Sequence, residues 1–398
     1  MLNARASLRG KRVLFVHQSA SLYGSDRALL EVVAATTAAG AESIVVVPNE
    51  GPLCARLGAL DAQVHVSAVG KISRQSASFK GARSLLTDTR TAADAITRLL
   101  AGRSVDLVYS NTLATLAGGV WSRAHDVPHI WHIHEIITNP AWASWIYCRL
   151  LERHADRVIF NSQATFDWLA HRLSQRMAKR SVVIENAISM APLLDRSRSN
   201  AFRATYAPDP ATILIGLVGR LNRTKGHQLL VEAIDILEGR GVRGLAAVFV
   251  GDSLPADAPL VEALHERVRR SPARARLHFA GFMDDPRVAY GALDIACVPS
   301  VLPESFGLSA LEAMQVGVPV VAADNHGLSS LIRDGRTGLL FESGNALALA
   351  DRLQRLIEDE ALRTELSRAA ATDVRSRFSS ERFAAEIIEA LASTLRTR

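Results

Sequence analysis

RVLFVHQSASLYGSDRALLEVVAATTAAGAESIVVVP, residues 12 to 48, sets the architecture. Arg12 to His17 is a short apolar run that reads as a strand. A glycine-containing turn follows, then a helix from about Ser25 to Ala38. Gly40 stops that helix, and Ser43 to Pro48 is the next strand. Strands that are apolar throughout and joined by helices belong to a parallel sheet covered on both faces. The same pattern recurs at 63–66, 105–109, 129–133, 157–160 and 182–184. Residues 195–211, DRSRSNAFRATYAPDPA, interrupt it with charge, serine and two prolines and read as a linker. Beyond them, strands are expected at 212–218, 246–251, 276–280, 294–298 and 319–323, and 345–398 is expected to be helical. Two doubly wound α/β domains of similar size follow, with no short repeat or low-complexity tract.

The chain's 398 residues exceed one ordinary core, which agrees with two domains. An apolar share of 48% with 22% charged residues is that of a globular protein. Cys54, Cys148 and Cys297 are too scattered for a disulfide framework or a metal site, which fits a reducing cytoplasm. The apolar run VLFV near the N-terminus is too short for a signal peptide, and no stretch approaches the ~20 apolar residues of a membrane span. The net charge of +6, from 46 basic and 40 acidic residues, suits phosphorylated ligands, an anionic membrane or a nucleic acid without choosing among them.

In open sheets of this kind ligands bind beyond the carboxyl ends of the strands, so with two sheets the expected site is the cleft between them. After the strand 212–218 comes GRLNRTKG, residues 219–226, which carries Arg220, Arg223 and Lys225 towards a helix start. Free N–H groups and the helix dipole favour an anion there, and the added cations make a diphosphate clamp. Taken alone, the loop reads first as an ordinary solvated loop with surface charges. PESFGLSALEAM, residues 303–314, follows the strand 294–298. Phe306, Gly307 and Leu308 are expected to open a helix whose backbone donors hold phosphate or sugar oxygens. Glu304 precedes that helix and Glu312 lies inside it, so the two carboxylates suit a ligand with hydroxyls at both ends and phosphate between. A nucleotide sugar has that shape. The alternative is that Glu304 caps the helix and Glu312 is a surface residue.

The spacing of Glu304 and Glu312 around Phe306-Gly307-Leu308, with GRLNRTKG about 80 residues earlier, resembles the retaining glycosyltransferases of family four, which have the GT-B fold. The resemblance runs over most of the chain. Tyr23-Gly24-Ser25-Asp26-Arg27 resembles that family's GGAER loop with one glycine and the acid changed. Ile184-Glu185-Asn186-Ala187-Ile188 resembles its PNGVD segment with alanine for glycine, and at 327–338 Ser330 stands where a glutamate is usual. The resemblance implies an N-terminal acceptor-side domain over 1–194, a donor-binding domain over 195–375 and a C-terminal segment, 376–398, crossing back to the N-domain. It implies Arg220 and Lys225 on the diphosphate, Glu312 on the ribose and Glu304 on a hydroxyl of the sugar. Ser305, Phe306, Gly307 and Leu308 would contact phosphate and sugar, and Gly24 and Gly219 would line the donor. Gly251, Asp252, Phe282 and Met283 would frame the base.

WHIHE, residues 131–135, ends the strand from His129. His132 and His134 share a strand face, but a metal needs at least one more ligand and none is evident. His132 reads as a structural histidine. His134-Glu135 resembles the family's HD/HE position, whose histidine contacts the donor sugar near the reacting carbon. No DxD suited to a metal is present, and Arg220 and Lys225 neutralise the phosphates, so no metal or other cofactor is expected. GxGxxG, the mark of a nicotinamide site, is also missing.

KISRQSASFKGARSLLTDTR, residues 71–90, holds Lys71, Arg74, Lys80, Arg83 and Arg90, and HRLSQRMAKR, 171–180, is a second basic run. Between them lie Trp142, Trp145 and Tyr147. Basic residues beside aromatics suit a peripheral protein on an anionic bilayer, at the inner face of the cytoplasmic membrane, although core packing is the first expectation for the tryptophans. The reading is a metal-independent, retaining hexosyltransferase. Its partners are a nucleotide-diphosphate sugar and a glycan or lipid-linked acceptor of the polysaccharide or lipopolysaccharide kind, and no nucleic acid. A silent nucleotide-sugar-binding subunit and an epimerase on the same fold are the alternatives.

Overall fold

The computed structural model describes residues 2–72, 79–138, 140, 142–187 and 195–396. The chain divides into two compact units, Met1–Ser189 together with Ser380–Arg398, and Met190–Ser379.

Among the described residues the first unit holds a seven-stranded sheet: β1 (Arg12–Val16), β2 (Glu42–Val47), β3 (Gln63–Val66), β4 (Leu107–Ser110), β5 (His129–Ile133), β6 (Arg157–Phe160) and β7 (Ser181–Val183). Its order is β3-β2-β1-β4-β5-β6-β7, parallel throughout. Val13 to Val16 are fully buried, because helices cover both faces of the sheet. One of them, Gly24–Ala38, turns Leu29, Val32, Val33 and Thr36 inward at helical spacing and ends before Gly40, whose φ is 85°. Each such apolar side chain contributes about 1.5–3 kcal/mol on burial. The helix Ser380–Arg396 also belongs to this unit. Phe383, Ile387 and Leu391 pack into its core, and Arg382 donates to the Glu185 carbonyl at 2.6 Å.

The second unit repeats the plan with β8 (Ile213–Val218), β9 (Leu245–Val250), β10 (Leu277–Gly281), β11 (Ile295–Val298), β12 (Val320–Asp324) and β13 (Leu339–Glu342), in the order β10-β9-β8-β11-β12-β13. In each sheet the order reverses at its first strand, between β1 and β4 and between β8 and β11. That reversal is where open α/β sheets bind ligands.

Two expectations fail. Residues 195–211 are no linker, because Arg196–Tyr206 is a helix of the second unit, capped by Asp195, which accepts from the Arg198 N–H at 3.1 Å. Arg203 anchors the helix by donating to Asp294 at 2.8 Å and to the carbonyls of Ala292 and Thr212 at 2.9 Å each. Nor do the tryptophans enter the core. In the helix Ala143–His154 the buried stripe is Ala143, Tyr147, Cys148 and Leu151, which leaves Trp142, Trp145 and Ile146 on the opposite side, exposed at 52%, 56% and 40%. Among the described residues no helix is long and apolar enough to cross a membrane.

Candidate functional site

In the second unit the loops that follow β8 and β11 are built against each other. Asn222 accepts from the N–H groups of Thr224 and Lys225, winding Arg223–Lys225 into a single 3₁₀ turn. Val301 N–H donates to Thr224 O at 2.9 Å. Gly226 has φ 71°, and a Cβ there would lie 1.9 Å from Pro299 O, so only glycine lets the two loops meet. The Lys225 ammonium thereby reaches Glu304 Oε1 at 2.9 Å, while Ser300 Oγ donates to Glu304 Oε2 at 2.9 Å. Both charged side chains keep a little solvent access. Glu304 is therefore not a helix cap. Its backbone is pinned as well, since Gly327 N–H donates to Glu304 O at 2.9 Å.

The helix Leu308–Gln315 begins on Gly307, which has φ 100° and would place a Cβ 2.6 Å from Leu328 Cδ2. No side chain caps this helix start, and the Ala310 and Leu311 N–H groups turn back onto Gly307 O at 3.0 Å each. Phe306 is buried edge-on against Phe378, so its backbone is what it offers the site, and Ser305 and Leu308 beside it are half-buried. Glu312, one turn into the helix, accepts from the buried Tyr290 hydroxyl at 3.3 Å. Gly219 and Arg220 follow β8, and Gly251 and the exposed Asp252 follow β9, tied by Leu221 N–H to Asp252 O at 2.9 Å. Phe282 and Met283 follow the edge strand β10, with Phe282 exposed. Asn325, next after β12, donates to the carbonyls of Ser300 and Leu302 and so holds the Glu304 loop. Sequence reading passed over Ser300, Tyr290 and Asn325, although Ser300 and Asn325 stand within two residues of a strand's carboxyl end.

The first unit carries a second constellation at its strand ends. His17 follows β1, Asn111 follows β4 and His134 follows β5. His17 Nε2 meets Asp26 Oδ1 at 2.7 Å, and Ser19 Oγ donates to the same oxygen. Asp26 Oδ2 accepts from Tyr23 N–H at 2.8 Å. Burial opposes ionisation of Asp26, but these hydrogen bonds and the facing His17 outweigh it and lower its pKa. Gly24, half-buried, opens the helix that carries Asp26. Asn111 Oδ1 lies 3.0 Å from His134 Nε2. His132 Nδ1 meets the Tyr109 hydroxyl at 2.7 Å, and its ring lies 4.0 Å from that of His134. Burial pushes His132 down to about 3 and His134 well below the ordinary histidine range. The Glu135 carboxylate folds back onto the N–H groups of Leu113 and His134, and burial raises its pKa. Among the described residues no group of three or more His, Cys, Asp or Glu is placed to hold a metal ion.

Two Rossmann-like units, each built on a parallel sheet whose order reverses at its first strand, are the architecture of the GT-B glycosyltransferases. The family model for a "Glycosyl transferase 4-like domain" matches residues 23–187, and that for "Glycosyl transferases group 1" matches residues 199–373. The chain belongs to the glycosyltransferases of the family-four type. It is 30% identical over 241 residues to the D-inositol 3-phosphate glycosyltransferase of Corynebacterium urealyticum, covering 59% of this chain and 56% of that protein. The Corynebacterium efficiens enzyme of the same name is 33% identical over 56% of this chain and 53% of that protein. The chain thus spans about half the length of the curated relatives it matches. Anabaena Alr3699/HepE, solved in complex with UDP-glucose, superposes with a TM-score of 0.80 at 25% identity, over 96% of this chain and 99% of that one. The sucrose-phosphate synthase of Thermosynechococcus elongatus shares the fold, with a TM-score of 0.77 at 21% identity, over 98% of this chain and 100% of that one.

Proposed function

We propose that the protein transfers a hexose from a nucleoside-diphosphate sugar to a glycan or lipid-linked glycan, with retention of anomeric configuration and without a metal. The observation that carries this is the meeting of Lys225 and Glu304 beside the uncapped start of the helix Leu308–Gln315. Cation and helix start neutralise a leaving diphosphate, Arg220 adds a second cation, and Glu304 holds the sugar. Glu312, steadied by Tyr290, takes the ribose hydroxyls. His134, in the first unit, is the residue that the family pattern assigns to the donor sugar. A uridine nucleotide is the first candidate, because the HepE structure holds UDP-glucose. Retention points to a front-face reaction in which the leaving phosphate takes the acceptor's proton.

The acceptor side is proposed to rest on an anionic membrane surface at the cytoplasmic face. Trp142, Trp145 and Ile146 are exposed, and Arg149 stands over the Trp145 ring at 5.2 Å. Leu85, from the helix Phe79–Leu100 that bears the exposed Lys80, Arg83 and Arg90, packs onto the same apolar cluster as Ala143 and Tyr147. Arg74 lies outside the described residues.

The test is release of nucleoside diphosphate from UDP-glucose and a panel of other donors, with and without crude acceptor glycans, and assignment of the product's anomeric configuration by NMR. Acceptor-dependent release with a retained anomer is expected. Binding without turnover would point to a silent subunit, and a donor converted to its epimer would point to an epimerase.

A further inference from the structure

Asn111 has two amide ends and two different neighbours. Its Nδ2 lies 2.9 Å from the Ser25 carbonyl oxygen, which can only accept, so the nitrogen must stand on that side. Its Oδ1 therefore faces His134 Nε2 at 3.0 Å, and an amide oxygen also only accepts. Nε2 must carry the proton. In the neutral ring the lone pair then sits on Nδ1, the ring's only acceptor.

The amide cannot turn over cheaply. Turned over, its oxygen would face the Ser25 carbonyl, acceptor against acceptor; His17 Nδ1, 3.2 Å from the amide nitrogen and 3.1 Å from the Asn111 carbonyl oxygen, is held on its far side by the buried Asp26. The backbone is pinned too: Asn111 N–H donates to Val16 O at 3.1 Å, and Trp131 Nε1–H donates to Thr112 O at 2.7 Å. Thr112 itself has φ 155°, a value that L side chains seldom adopt. Asn111 is fully buried and directly follows the switch-point strand β4, 23 residues from the histidine it contacts.

We infer that Asn111 is a positioning residue that fixes His134 as its Nε2–H tautomer, so that the neutral ring presents Nδ1 as a hydrogen-bond acceptor for a hydroxyl of the donor sugar. This rests on the transferase reading for the identity of the ligand, but the tautomer does not. The groups around His134 are His132 and, behind it, Tyr109 from β5 and β4, His17 after β1, Asp26 on the helix Gly24–Ala38, and Glu135 beside it in the chain. Burial is the largest influence, and His132 and His17 add to it, while Asp26 opposes; the ring stays neutral well below its ordinary pKa. An acceptor suits a sugar hydroxyl and excludes a phosphate or carboxylate at that point.

Long-range proton–nitrogen NMR of the resting protein reads the tautomer directly, with His134→Gln supplying the assignment. Protonation at Nε2 is expected, and a neutral ring protonated at Nδ1 would overturn the inference whatever the protein does. Asn111→Asp sets a carboxylate against Nε2 and stabilises the imidazolium, so activity below about pH 7 should fall with acid where the wild type stays flat. Asn111→Ala should lose roughly tenfold at every pH, as expected for one lost hydrogen bond. A purely packing role predicts flat profiles for both variants, and that result would also overturn the inference. With no active donor found, the NMR measurement alone decides.

Discussion

Glu304 and Lys225 hold each other in the resting site at 2.9 Å, and that pairing governs what their removal does. Lys225 has three donors, so it can keep Glu304 and still reach a phosphate oxygen. In Glu304→Ala the ammonium loses its carboxylate partner, and a negative charge is taken from beside the proposed diphosphate site. Affinity for the bare nucleoside diphosphate should therefore hold or rise, while turnover falls. Glu312→Ala removes the proposed ribose ligand and should weaken diphosphate and donor alike. A charge-assisted hydrogen bond is worth about 1.5–3 kcal/mol, or roughly ten- to a hundredfold. Calorimetric titration of the diphosphate into both variants separates the roles. Equal weakening would mean that the two carboxylates do not divide the ligand. The same cations lead to a second expectation, that turnover persists in EDTA. Loss of activity restored only by Mg²⁺ or Mn²⁺ would assign the phosphate charge to a metal instead.

At the scale of the element, β5 and the residue after it bring three histidines into the first unit's interior. His129 donates from Nδ1 to His154 O at 2.7 Å and accepts from Ser110 at Nε2, and burial takes it down to about 4. His132 sits at about 3 and His134 is also strongly depressed, in each case chiefly by burial. The unfolded chain takes up these protons near pH 6.5 and the folded one does not, so stability is full above that pH and drains away as pH falls towards 4. Each ring contributes a slope of about 1.4 kcal/mol per pH unit in that window. Urea midpoints between pH 7.5 and 5 should drop steeply, and His132→Leu should make the fall shallower by about one proton. An unchanged slope would mean that His132 titrates alike in both states. The helix Arg196–Tyr206 gives another test at this scale. Arg203→Ala should destabilise the second unit by about 1–3 kcal/mol, because two carbonyls lose the guanidinium as donor and Asp294 is left with Leu214 N–H but no counter-charge from Arg203. A linker would give no change in melting. Here the limits of the sequence show. The apolar runs of β1, β2, β8 and β9 announce themselves, because strands buried on both faces need no alternation. The helix at 196–206 did not, because its charge and serine resemble a loop and its anchor, Asp294, lies 91 residues away. β13, Leu339–Glu342, was missed as well.

Across the whole molecule, the loops that follow β8 and β11 were legible because glycine, cations and carboxylates crowd them, whereas His17 and Asn111 were not, and Asp26 stood out only as part of the stretch 23–27, not as their partner. Their partnership joins residues up to 94 positions apart, and nothing local marks it. The tryptophans were misread for a similar reason, since WASWIYC has apolar residues on both sides of its helix and the sequence does not say which side a sheet will cover. With Tyr147 and Cys148 inward, Trp142, Trp145 and Ile146 form an apolar surface beside Arg149. Aromatics of this kind settle at the headgroup level of a bilayer, and each nearby cation adds about 1 kcal/mol when the lipids are anionic. Two sets of variants divide the contributions. Replacing Trp142, Trp145 and Ile146 by serine should reduce binding to all vesicles, while Lys80→Gln with Arg83→Gln should reduce it only where phosphatidylglycerol is present. Salt should weaken the second effect and spare the first. These side chains are exposed, so melting temperatures should stay within a degree or two of the parent, about what surface changes of under 0.5 kcal/mol produce. Sedimentation with vesicles of both compositions makes the comparison. If the parent chain stays in the supernatant with anionic vesicles, or the serine variant sediments as it does, this surface meets something other than lipid.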